Sequence, residues 1–403
     1  MTARAVAAPL LDVPGPLSKS LLSRLGSQLD SRAVQFFADY DKSHDNFLVD
    51  VDGNEFLDVY AQIASNAVRY NNPTVLQASR SEKMVSALAN RPSLGVYPRS
   101  NLTQNIHRLL RIAPAGHSMV FPAQSGSEAN ELAFKAAFFY HQIKKRGGPG
   151  VSWTAEELDS CLRSTEPGSP TLSISSFRNS FHGRGFRSLS TTRSKPIHKL
   201  DVPAFDWPVA RFPSLRYPLH DHVDANEREV RCSLEEVDYL MGTWHHPVAA
   251  IIVEPIQSDG GDDYAPASFF QGLQDLTKKH DVLFIADEAQ TVDLVTFGKK
   301  PQTAGYFFHN PLLHPDKPYR QSNTWMGDEA RLMICNAVID GILENGLVEK
   351  VARVGKTLYD ALEALAEKYP DRIRNLRGRD SGTYIAFDVQ EAAKPPMNLS
   401  VLS

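Results

Sequence analysis

This chain has little cysteine, little net charge and no long apolar run, and each shortage excludes a class of function. Only 3 cysteines occur in 403 residues, Cys161, Cys232 and Cys335. They are odd in number and widely spaced, so neither a disulfide framework nor a zinc site is suggested, and all three are expected to be buried as small apolar side chains. A formal net charge of -4 offers no basic field for nucleic acid. No apolar stretch approaches the length needed to span a bilayer, so no membrane partner is expected. No Gly-x-Gly-x-x-Gly follows a strand-like run, no His-Glu-x-x-His occurs, and no serine nucleophile elbow is present. The 13 histidines show no metal-ligand spacing, so no metal is expected. Residues 1–11 carry one arginine and no acid before Asp12, Pro14 and Pro16 follow. That weak presequence pattern leaves cytoplasm as the expected compartment and the mitochondrial matrix as the alternative.

The remaining composition is that of an ordinary globular protein, 42% hydrophobic and 22% charged, long enough for two domains. Pro9, Pro14 and Pro16 predict an irregular lead over residues 1–30. Polar and apolar residues alternate on either side of Asp50-Val51-Asp52-Gly53, which predicts a hairpin over 46–60. After Gly126-Ser127, the residues Ala129, Leu132, Ala133, Ala136, Tyr140 and Ile143 recur at helical spacing. Residues 146–170, rich in Gly, Ser and Pro, read as a surface insertion. Val248-Ala249-Ala250-Ile251-Ile252-Val253 lacks alternation and fits a strand covered on both faces. Further helices are expected near 267–279, 328–345 and 347–368, the last with an apolar stripe of Val348, Val351, Val354, Leu358, Leu362 and Leu365. Strands alternating with helices predict an α/β fold with a mainly parallel sheet.

Several residues are of the type and in the place that chemistry needs. Asp287 ends the apolar run Val282–Ala286, and Lys300 ends Asp293–Lys299. A carboxylate and a lysine on neighbouring buried strands are what pyridoxal phosphate chemistry uses: one keeps the pyridine nitrogen protonated, the other holds the aldehyde covalently. Ser125-Gly126-Ser127 precedes a helix, where free N–H groups make either a phosphate cradle or a simple serine cap. Phe181 can lie on a planar ring and Arg184 can grip a carboxylate through paired hydrogen bonds, although a packed Phe and a solvated Arg fit equally. His182 between them is read as structural. Glu254 closes a strand at the end where α/β folds place functional groups, or caps the next turn. Gln290 can donate to a ring oxygen, and Thr324 offers a loop hydroxyl.

Taken in order, these segments resemble the class III, pyridoxal-phosphate-dependent aminotransferases, from about residue 30 to residue 388. The shared stretches include Asp50-Val51-Asp52-Gly53-Asn54, Ser125-Gly126-Ser127, Phe181-His182-Gly183-Arg184, Glu254-Pro255-Ile256-Gln257-Ser258, Asp287-Glu288-Ala289-Gln290-Thr291, Thr296-Phe297-Gly298-Lys299-Lys300 and Asn323-Thr324-Trp325. The resemblance implies a fold-type I transferase, with a lead and part of a small domain over 1–75. It places a large cofactor-binding domain over 76–335 and a shortened C-terminal small domain over 336–403. It implies pyridoxal 5'-phosphate as cofactor and Lys300 as its covalent anchor, judged by the distance to Ala304-Gly305. Asp287 is implied as the partner of the ring nitrogen, Gln290 as a contact to the ring hydroxyl, and Gly126 and Ser127 as the phosphate cradle. Phe181 would cover the ring, Arg184 would bind the substrate carboxylate, Ile63 would line the substrate pocket, and Thr324 would complete the cradle in the partner subunit of a homodimer. Glu254 matches a carboxylate that the family pairs with a C-terminal arginine. Ser125 and Glu128 stand where animal relatives carry iron–sulfur cysteines, so no cluster is implied. The implied reaction is ping-pong transamination of 4-aminobutyrate, the amino donor, with 2-oxoglutarate, the acceptor. A non-catalytic product of the same family, or an aminotransferase for another ω-amino acid such as β-alanine, is the alternative.

Two departures from the family stand out. The family places about twenty residues between the Gln-Thr after the aspartate and the strand leading to the lysine, whereas here Thr291 runs straight into Val292. A parallel crossover needs about a dozen residues or more. A hairpin would fit the short link but would reverse the second strand and carry Lys300 away from Asp287. Similarity also fades after Asp388, and residues 389–403 are expected to be an unrelated tail, with the arginine partner of Glu254 absent.

Overall fold

The unbroken apolar run Val248–Val253 forms a strand whose six residues are all buried, because helices cover both faces of the sheet it belongs to. The computed structural model describes residues 12–90, 95–287, 292–326 and 328–389. Strands β1 (Phe47–Val49) and β2 (Glu55–Leu57) pair as the expected hairpin. The central sheet has seven strands, built from β3 (Met119–Ala123), β4 (Ser173–Phe177), β5 (Val209–Ala210), β6 (Val248–Val253), β9 (Leu283–Asp287), β10 (Leu294–Phe297) and β11 (Ala304–Phe308). The hairpin β7 (Ile256–Gln257) and β8 (Asp263–Tyr264) follows β6 in sequence, and β12 (Ile373–Arg377) pairs with β13 (Ala386–Val389) in a C-terminal lobe. In the central sheet the order is β3-β11-β10-β9-β6-β4-β5, and only β11 runs antiparallel to its neighbours.

Asp287 and Thr296 are opposite one another because β9 and β10 are parallel, with Leu294 beside Ile285. The hairpin alternative for the short link is thus not adopted. Asp293 fixes the entry into β10: its N–H donates to the Phe284 carbonyl at 3.1 Å, and its carboxylate accepts from the Phe284 N–H at 2.8 Å.

One face of the sheet buries Ile174, Ile252, Ile285 and Leu294 against Ala129, Leu132, Ala133 and Phe134 of the Gly126–Arg146 helix. The other face packs Ile251, Phe284 and Val295 against Phe269 and Leu273 of the Ala267–His280 helix and Leu332 and Ile339 of the Glu329–Glu344 helix. Burying each such side chain contributes roughly 1.5–3 kcal/mol. The Glu329–Glu344 helix runs through residue 335, the expected domain boundary, and Ile339 beyond it shares the large core.

Three local expectations are corrected. Pro16 starts the Pro16–Gly26 helix instead of breaking structure, since its ring suits the first helical turn where no N–H acceptor is needed. The 146–170 insertion contains the Ala155–Leu162 helix, begun by a capping box between Thr154 and Glu157. Cys335 is buried as expected, but Cys232 is only half-buried and Cys161 is exposed near the end of that surface helix. Among the described residues no helix is long and apolar enough to cross a membrane.

Candidate active site

Strand alternation puts Asp287, Glu254 and Thr296 on the sheet face that packs against the Gly126–Arg146 helix, each at or near the C-terminal end of a parallel strand. Asp287 accepts three hydrogen bonds: from Asn130 Nδ2 at 3.0 Å, from His182 Nδ1 at 3.0 Å and from Thr296 Oγ1 at 3.1 Å. Burial by itself pushes this carboxyl up, but those donors outweigh it and hold Asp287 below the ordinary carboxylate value. Its side chain keeps 19% exposure, so an ionised carboxylate is presented to the site. Because that carboxylate can only accept, the ring proton of His182 sits on Nδ1. His182 therefore has a role in the site that its sequence reading as structural missed. Its place two residues before Arg184 gave no sign of the contact; only the fold brings residues 182 and 287 together.

The Phe181–Gly185 loop is pinned to the start of the helix. The backbone N–H of Arg184 donates to Ser127 Oγ at 3.1 Å, and Asn130 Nδ2 donates to the His182 carbonyl at 2.8 Å. Gly183 has φ of 115°, and a Cβ there would come within 2.4 Å of Ser127 Oγ, so only glycine allows this approach. Glu131 accepts from the N–H groups of Arg187 and Ser188 and secures the rest of the loop. The Arg184 guanidinium lies 5.8 Å from the Phe181 ring centroid and 3.4 Å from His198 Nε2.

The helix start itself shows both sequence readings at once. Ser125 Oγ caps the helix by accepting from the Glu128 N–H at 3.3 Å, while Gly126 and Ser127 keep N–H groups with no acceptor among the described residues. A Cβ built on Gly126 meets nothing within 4 Å, so there is open space beside those donors. Gly298, just after β10, comes so close that its Cβ would lie 3.3 Å from Gly126 Cα. Lys299 and Lys300, both exposed, follow directly.

Glu254 is buried and accepts from the Phe181 N–H at 2.8 Å. Burial first, and then the nearby Asp287 charge, push it well above the ordinary carboxylate range; the Phe181 N–H and the Lys299 charge act against this. No arginine pairs with it among the described residues. Asp287, Glu254, Phe181, Arg184, Gly126 and Ser127 are thus gathered at one end of the sheet. Ile63 is 60% exposed in a left-handed turn with φ of 58°. Thr324 lies in the loop before the Glu329–Glu344 helix. Gln290 lies outside the described residues. No group of three or more metal-ligating side chains occurs among the described residues.

The pattern of the aminotransferase class-III family matches residues 29–292 and 291–400. The chain belongs to the class-III aminotransferases. The family match runs past Asp388 to residue 400, which corrects the expectation that residues 389–403 are unrelated. The chain is 50% identical to 4-aminobutyrate aminotransferase of Emericella nidulans, over 93% of this chain and 80% of that protein. It is 47% identical to that of Saccharomyces cerevisiae, over 97% and 87%, and 42% identical to the mitochondrial enzyme of Mus musculus, over 95% and 80%. Among solved structures, lysine aminotransferase from M. tuberculosis superposes with a TM-score of 0.79 at 24% identity, over 92% of this chain and 87% of that one. That likeness shows the fold, with its mainly parallel central sheet.

Proposed function

We propose that this class-III aminotransferase transfers the amino group of 4-aminobutyrate to 2-oxoglutarate, giving succinate semialdehyde and glutamate with pyridoxal 5'-phosphate as cofactor. The observation that carries this reading is the ionised, threefold hydrogen-bonded Asp287 beside a helix start with unclaimed N–H donors. That arrangement fits the cofactor at both ends, a protonated ring nitrogen at one and a phosphate at the other. The relatives that share 42–50% identity and carry the name 4-aminobutyrate aminotransferase support the substrate.

Pyridoxal phosphate, when bound, supplies an aldehyde that condenses with amines and a ring that accepts electrons from the substrate carbon. Asp287 holds the proton on the ring nitrogen, and His182, Asn130 and Thr296 keep Asp287 ionised and oriented. The Gly126 and Ser127 N–H groups would bind the cofactor's phosphate, and Thr324 of the partner subunit would complete that cradle in a homodimer. Phe181 covers the ring. Arg184 holds the carboxylate of 4-aminobutyrate, which fixes the far end of the substrate and leaves its amine at the reacting end. The Lys300 amine would be the group that moves the proton at C4 of the substrate.

Leu294, Thr296 and Gly298 alternate onto the Asp287 face, and the spacing of Lys300 to Ala304-Gly305 supports Lys300 as the anchor. One observation favours its neighbour: φ of 54° at Lys299 ends that alternation, and the Lys299 charge is the one that reaches Glu254. Assays on Lys299→Ala and Lys300→Ala separate the two, since only the anchor variant loses all turnover. For the substrate, the test is production of succinate semialdehyde from 4-aminobutyrate and 2-oxoglutarate. Turnover of β-alanine with none of 4-aminobutyrate would replace the proposed donor.

A further inference from the structure

At the end of the sheet opposite Asp287, a cleft of about 540 Å³ opens beneath β9 and β10. Its walls include His117, Lys278, Phe284, Val292, Asp293 and His309. His117 is only 8% exposed, yet neither ring nitrogen makes a hydrogen bond of good geometry among the described residues, although the backbone of Val292 is near. Such a buried polar ring is unfavourable unless a partner arrives. The ring of His309 stands edge-on to it at 5.4 Å. Two acids of the cleft are already engaged: Asp281 with Lys144 at 2.6 Å, and Asp293 with the Phe284 N–H.

Several observations meet at this cleft. The family match breaks into two stretches at residues 291–292, beside the cleft residues Val292 and Asp293. β9 and β10 are parallel although only residues 288–293 separate them, where such a crossover ordinarily takes about a dozen residues or more. The alignment to the Emericella nidulans relative runs over 396 positions but covers 93% of this chain, so on the order of twenty relative positions lack a counterpart, enough for a full crossover. Finally, Val292 and Asp293, where that crossover would deliver the chain, themselves line the cleft.

We infer that this cleft is the seat of a crossover segment that relatives carry between the positions of Thr291 and Val292, and that a peptide of that kind binds there. The seat has room for about one helical turn. Phe284 and Val292 select an apolar side chain, while His117, His309 and Lys278 select a carboxylate. This rests on membership of the family and not on the proposed substrate.

The test inserts the intervening residues of the Emericella nidulans relative between Thr291 and Val292, with a Gly/Ser insert of equal length as control. Hydrogen exchange is then followed at the amides of Gly116, His117, Val282 and Val292. The relative's segment should slow these amides about tenfold or more against the control, by closing local openings. The same residues offered to the unaltered chain as a free peptide should protect the same amides. Protection by the tethered segment alone also supports the seat, because tethering raises effective concentration. Equal exchange with both inserts, or an unfolded chain with the relative's segment beside a folded Gly/Ser control, overturns it.

Discussion

Ile285 and Val348 are both branched apolar residues in regular elements, yet Ile285 is 0% exposed and Val348 is 64% exposed. Ile285 lies in the middle of the central sheet, where helices cover both faces. Val348 begins the apolar stripe of the Leu347–Lys368 helix, and Val351, Val354, Leu358 and Leu365 along that stripe are exposed as well. Only Gly355 and Tyr359 of this helix are buried among the described residues. The comparison teaches that the same sequence signal, periodic apolar residues, produces stability only where a second layer meets it. Polar contacts help to join the two regions. Arg377, 8% exposed, donates to the carbonyls of Gly261, Asp262 and Asn375 and to the Asp388 carboxylate. Tyr384 donates to Asp262 at 2.7 Å, and Tyr264 donates back to the Tyr384 carbonyl at 2.7 Å.

Substitutions on either side of this contrast should differ in size. Ile285→Ala opens a cavity between the sheet and the Gly126–Arg146 helix and should cost about 2–5 kcal/mol, read by chemical denaturation. A cost near zero would mean that the sheet is no better packed than the lobe. Arg377→Ala should weaken the lobe alone by roughly 1.5–3 kcal/mol, since a buried charge network loses its centre. Hydrogen exchange should then rise across 373–389 and stay unchanged in β6 and β9; a uniform rise would show that the two regions unfold together.

Glu254 tests a strained electrostatic feature of the sheet. Its folded-state value is raised, so the native chain holds this proton more tightly than the unfolded chain. Stability from this group is therefore present at low pH and lost as pH rises from the ordinary value of 4.5 through the raised one. Glu254→Gln keeps an acceptor for the Phe181 N–H and removes that titration. The melting temperature of the unaltered chain should fall by a few degrees relative to the variant as pH rises. Parallel pH curves would contradict the assigned shift. The smallest effect belongs to the lobe surface: Val351→Ser should change stability by no more than ~0.5 kcal/mol. It should also reduce self-association measured by light scattering. A large destabilisation would mean that the stripe is covered in solution.

Much of this was legible beforehand. The six-residue run at 248–253 announced a doubly covered strand, and the spacing from Ala129 to Ile143 announced the helix that supports the site. Asp287, Glu254 and Phe181 could be singled out as candidates because each sits at a strand end or turn, where sequence marks the boundary. The β11 strand was not foreseen, since Ala304–Phe308 lacks alternation and carries Gly305 inside it, a residue that weakens a strand pattern. His182 was misread because its partner is 105 residues away, and Asn130 and Thr296 gave no sign for the same reason. The left-handed backbone at Lys299 is likewise a tertiary effect that strand periodicity does not encode.

The account's central claim is that Asp287 and a lysine at the end of β10 hold pyridoxal phosphate in this chain. The most direct measurement is the visible absorbance of the purified protein after addition of pyridoxal phosphate and removal of the excess. The account predicts a protein-bound band that 4-aminobutyrate discharges, that Lys300→Ala abolishes and that Lys299→Ala retains. A colourless protein that retains no cofactor would contradict it.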